Sequence, residues 1–193
     1  MPRRLAPLLA AALAFGLGLS AKPVLAQASL RELPAAARAA GLTFALPRID
    51  ELRFDTAGSG ANAHVAYDLA WRHRRGAFEL LARVVPAGSP SALHPGVSTG
   101  ALVTHCQRND PDESEAFVAR WRAGTEDLAR LGAEWAVFHA YAPKPSFSQR
   151  RRCYQASYYR AGRGLVHVWL LYDDPALLHS DWVYVLPFAT EEG

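Results

Sequence analysis

The chain has 193 residues, half of them apolar and a tenth aromatic, with 21 basic and 18 acidic side chains. That is the make-up of a folded domain, not of a disordered segment. The positive balance sits wholly in the first 26 residues, where Arg3, Arg4 and Lys22 meet no acid. The rest carries 18 bases against 18 acids, which argues against nucleic acid as the main partner and against a polybasic membrane anchor.

Arg3 and Arg4 precede an apolar run over 5–19, and Val24-Leu25-Ala26 places small or aliphatic side chains before a cut between Ala26 and Gln27. This is the layout of a cleavable secretory leader. The run is shorter than the ~20 residues a spanning helix needs, and no cysteine follows it for lipid attachment. The expectation is a signal peptide over 1–26, then one exported domain over 27–193, periplasmic or extracellular, with no membrane span once the leader is removed. About 167 residues can bury roughly 70% of the unfolded surface. Cys106 and Cys153 are the only cysteines, and an oxidising compartment favours a disulfide between them. No C-x-x-C spacing points to a metal instead.

Ser29-Leu30-Arg31-Glu32 reads as a capping box opening a short helix that Gly41 stops near Ala40. Residues 42–46 form a short strand candidate, and 55–62, with Gly58 and Gly60, a loop. Alternation of Val65, Tyr67, Leu69 and Trp71 predicts a strand over 64–73. A turn at Arg74-Arg75-Gly76 returns it as 77–85, an antiparallel hairpin with one face on a core. Three prolines between Pro86 and Gly100 suggest a long surface connection, followed by a short strand over 101–107. Phe117, Trp121, Leu128 and Leu131 then recur at helical spacing, predicting one main helix over about 112–131, with acids at its start and Gly132 at its end. Strands over 134–142, 153–161 and 165–172 follow, the last apolar on both faces and so expected mid-sheet. Asp173-Asp174-Pro175 caps a short helix; 182–188 reads as a closing strand or irregular packing.

The predicted architecture is α+β, an antiparallel sheet of about six to seven strands with the 112–131 helix packed on it. This order of elements resembles the PsbP-like sandwich, whose members are mostly accessory or scaffolding proteins. Glu134-Trp135-Ala136, Ala142-Pro143-Lys144, Phe147-Ser148, Cys153 and the 162–164 hairpin resemble a pattern in uncharacterised exported bacterial proteins, to which no activity is attached.

Nucleophile-elbow, zinc-helix, phosphate-loop and calcium-loop signatures are all missing from the sequence, so no cofactor is expected. Seven histidines are present, His64, His73, His94, His105, His139, His167 and His179. His139 and His167 lie on strong strands, and with Asp173 downstream they form a candidate metal or acid–base set. A second candidate joins the aromatic surplus of the C-terminal half to the basic loop before Cys153. Tyr158 and Tyr159 face opposite ways on a strand, so one lies outside the main core. Tyr141, Lys144, Phe147, Arg151 and Tyr159 are therefore the expected contacts of a ligand or partner groove. The functional expectation is a non-enzymatic envelope accessory domain that binds a protein or small molecule. The alternatives are an enzyme using His139, His167 and Asp173, or a structural envelope component.

Overall fold

The computed structural model describes residues 33–45, 54–56, 60–73, 78–89, 94–108, 119–177 and 180–189. The leader and its cut, the 29–32 capping box, the 74–76 turn, the acidic start of the 112–131 helix and His179 lie outside the described residues.

The protein is α+β, as the sequence predicts. Seven antiparallel strands form one sheet in the order β1 (Phe54–Thr56), β4 (Leu69–His73), β5 (Phe78–Pro86), β9 (Gly164–Tyr172), β8 (Arg152–Arg160), β7 (Trp135–Tyr141) and β6 (Ala119–Arg122). A separate two-stranded hairpin joins β2 (Gly60–Ala61) to β3 (Ala66–Tyr67). The described residues also hold three α-helices: α1 (Ala35–Ala39), α2 (Pro95–Cys106) and α3 (Thr125–Leu131). All nine residues of β9 are buried, because both faces of this central strand are covered. That fulfils the expectation drawn from its apolar run.

The two faces carry different cores. On one, Leu80, Val168, Leu170, Phe138 and Tyr158 pack with α1, Leu131 of α3 and the C-terminal segment 182–188. That segment opens as a 3₁₀ turn (Ser180–Tyr184) and then runs beside 42–45, with Thr43 N donating to Pro187 O and Ala45 N to Val185 O. On the other face, Leu81, Trp169, Leu171, Tyr141 and Cys153 pack under Val103 and Cys106 of α2, with Val65 and Phe147 closing the side. The sheet is thus a middle layer.

Several elements differ from expectation. The predicted 55–62 loop contributes to β1 and holds β2, and the strand predicted over 64–73 is divided into β3 and β4, which belong to different sheets. Residues 95–106 form a helix where a loop and a strand are predicted. Pro95 stands at its first position, preset for helix. The His94 ring accepts from Gly96 N at 3.2 Å, and Thr99, Val103 and Cys106 make the buried stripe. The helix predicted over 112–131 survives as α3; residues 119–122 pair with β7 instead. Gly124 separates the two, its N–H held by Asp127 Oδ2 at 2.9 Å, so the Trp121 spacing mimics a helical stripe across a strand and a turn.

Gly164 opens β9 at φ 126°, a conformation closed to L side chains, and a Cβ there would run into Val85 O. Gly162, at φ 73°, has open space around it. Gly164→Ala is therefore expected to cost about 2–4 kcal/mol, from strain plus collision, and Gly162→Ala only about 1 kcal/mol. Urea unfolding midpoints of the two variants read the difference.

Candidate functional site

Beneath α2 runs a buried chain of polar groups, an uncommon feature for the middle of a sheet. The Tyr141 hydroxyl and Trp169 Nε1 both donate to Gln155 Oε1, at 2.8 and 3.0 Å. Gln155 Nε2 donates to Ser157 Oγ at 3.1 Å, and Ser157 Oγ meets His167 Nδ1 at 2.9 Å. Register explains the alignment: Gln155 lies opposite Trp169 and Ser157 opposite His167, all pointing to the same face. Burial pushes the Tyr141 hydroxyl well above its ordinary range. The same cause, aided by Arg83, lowers His167 to about 3. Ser157 and His167 have the spacing of a nucleophile and its base, yet they are 0% and 1% exposed. No substrate reaches them in this arrangement.

His139 shares that face, opposite Gln155 on β7. Its Nδ1 is buried without a hydrogen-bond partner, as is Thr99 Oγ1 on α2, and burial followed by Arg120 lowers the ring to about 4. His139 and His167 are on one sheet face, but β8 lies between their strands. Asp173 is elsewhere: its carboxylate takes Arg150 Nη1 at 2.7 Å and Arg151 N at 3.0 Å. The three residues do not converge, and no group of three His, Cys, Asp or Glu among the described residues is placed to hold a metal.

The expected contact residues are redistributed. Tyr141 and Phe147 are core side chains, 3% and 5% exposed, because α2 roofs their face. Lys144 Nζ donates to Thr104 O and His105 O, at 3.3 and 2.9 Å, closing the carbonyl end of α2. Arg151 is exposed and borders a cavity of about 150 Å³ beside Asp173. Tyr159 is half-buried while Tyr158 is fully enclosed, its hydroxyl on Leu186 O at 2.7 Å. Cys106 and Cys153 stand as two free buried thiols, not as the disulfide expected from the sequence.

This face carries a groove of about 380 Å³. Leu81 and Leu171 contribute its apolar lining from the sheet. Asn62 and Tyr67 line it from the β2–β3 hairpin, the loop 145–150 lines it from across, and Arg72 and Glu79 add charge. Arg72 Nε lies 3.5 Å from Glu79 Oε1 across the β4–β5 ladder. The loop is fixed on three sides. Lys144 N donates to Cys106 O at 2.8 Å, His64 Nε2 meets Ser146 Oγ at 2.7 Å, and Asn62 Nδ2 donates to Phe147 O at 3.3 Å. Burial, then the charges of His105 and Lys144, hold the His64 ring below its usual range. Sequence reasoning missed Arg72, Glu79, Asn62 and Tyr67 as groove residues. The pairing of Arg72 with Glu79 across the predicted hairpin was the one local signal for any of them.

No helix among the described residues is long and apolar enough to cross a membrane, a statement that leaves strands aside. Compared with family models, with curated proteins and with solved structures, the chain matches none.

Proposed function

We propose that this chain is an exported, non-enzymatic accessory domain of the cell envelope that binds a small polar ligand in the groove between the β2–β3 hairpin and the 145–150 loop. The observation that supports it is the groove itself: about 380 Å³, apolar at Leu81 and Leu171, charged at Arg72 and Glu79. A volume of a few hundred Å³ suits a ligand of small-molecule size. An arginine and a carboxylate side by side suit a molecule carrying an acid and an amino or hydroxyl group. The catalytic alternative loses support because His139, His167 and Asp173 stand apart.

Thermal-shift measurements with a panel of amino acids, hydroxy acids and sugar acids test the reading. A true ligand at about a hundred times its Kd raises Tm by roughly 5–10 °C. Arg72→Ala is expected to weaken that ligand about tenfold, which is the loss of one charge-assisted hydrogen bond. A panel that shifts nothing, or a shift of equal size in Arg72→Ala, contradicts the proposal and leaves the structural-component role.

A further inference from the structure

We propose that the cavity where β7 and β9 end beside the start of β8 is a binding site for a phosphate group, held by Arg151 and Arg152. This is independent of the groove reading, because the cavity is a different one. The three strands are neighbours in the sheet. Register sets Tyr141 opposite Cys153 and Arg152 opposite Tyr172, so the three strand ends frame one opening. It encloses about 150 Å³, and Arg151, Arg152, Tyr172, Asp173 and Pro175 are among the residues that line it.

Three consecutive arginines, Arg150, Arg151 and Arg152, start β8, and their partners separate them. Asp173 is the one acid lining the cavity. Its Oδ2 accepts from Arg150 Nη1 at 2.7 Å and its Oδ1 from Arg151 N at 3.0 Å. Arg150 therefore answers the negative charge that would oppose an anion. The backbone bond fixes the segment carrying the other two arginines. Arg151 and Arg152 are exposed, and neither guanidinium is paired with an acid among the described residues. Two unpaired guanidiniums at one concavity present forked donors that suit the oxygens of a phosphate. The Tyr172 ring and Pro175 give the wall an apolar side, which fits the carbon of a phosphate ester better than a free inorganic ion.

Calorimetric titration of the full chain with inorganic phosphate and with glycerol phosphate tests the site. A salt concentration of about 0.15 M screens loose attraction between exposed charges and leaves direct contacts. One saturable phosphate per chain is expected, the ester binding more tightly. Arg151→Gln and Arg152→Gln are each expected to weaken it about tenfold, the loss of one charge-assisted hydrogen bond. Both side chains are exposed, so Tm without phosphate is expected to stay unchanged in these variants. Arg72→Gln, in the other groove, is expected to leave phosphate binding as it was. Tighter binding of the inorganic ion than of the ester still supports the site and makes free phosphate its ligand. No saturable binding of either probe, or full binding in both arginine variants, overturns the proposal. An equal loss in Arg72→Gln also overturns it, since the attraction then belongs to the surface charge as a whole.

Discussion

Replacing Gln155 with leucine is expected to destabilise the fold by about 4 kcal/mol, because two buried donors lose their acceptor at about 1–3 kcal/mol each. Tyr141 and Trp169 both end on Gln155 Oε1, and at 3% and 0% exposure neither has water to replace it. Leucine has nearly the volume of glutamine, so the loss measures polar satisfaction and not a cavity. Ser157 keeps His167 as a partner and contributes little. A domain of ordinary stability, about 5–15 kcal/mol, then unfolds at a much lower urea concentration. In a Tyr141→Phe background one orphaned donor is already gone, and the same substitution is expected to cost about 2 kcal/mol less. Equal costs in the two backgrounds remove Tyr141 from the network.

That network also marks the boundary of what the sequence discloses. Strands β7, β8 and β9 are legible because period-two alternation is a local signal, and the doubly apolar 165–172 run could only be a strand covered on both sides. Gln155 and Ser157 lie inside a strand legible in sequence, yet nothing local says that their face is roofed. The roof is α2, and its sequence hides it: Pro95, Gly96 and Gly100 read as loop, while the buried stripe of Thr99, Val103 and Cys106 has only three members. Without that layer, Tyr141 and Phe147 read as exposed aromatics available to a partner. With it they become core. The groove is harder still to read from sequence, because Asn62 and Phe147 are 85 positions apart and their contact depends on how the hairpin and the 145–150 loop close on the sheet. Strand β6 misled for a different reason. Its Trp121 lies at helical distance from Leu128, but that interval spans the end of a strand and the turn at Gly124. An edge strand of four residues has too few alternations to outweigh such a coincidence.

Acid is the condition under which the roofed face becomes the weak point. His167 and His139 are held at about 3 and about 4 in the folded protein, chiefly by burial, against an ordinary value of 6.5. Below pH 6.5 the unfolded chain therefore binds protons at these rings that the folded chain refuses. Depressed histidines contribute stability that is whole above pH 6.5 and drains as pH falls toward the folded values. His167 alone gives a slope of about 1.4 kcal/mol per pH unit across that window. His139, nearer the sheet edge, adds in the same direction and stops near pH 4. The charges facing these rings reinforce the sign: Arg83 stands opposite His167 in the ladder and Arg120 opposite His139, and both remain positive throughout. Asp173 acts the same way at the lower end. Its hydrogen bond from Arg150 holds the carboxyl below the usual range, and the pairing is lost only in stronger acid. Urea midpoints taken from pH 7 down to pH 4.5 are expected to fall steadily. In His167→Gln, which keeps a polar group beside Ser157 but cannot take up a proton, the slope is expected to drop by the His167 share. An unchanged slope in that variant means the buried ring is not the group that titrates.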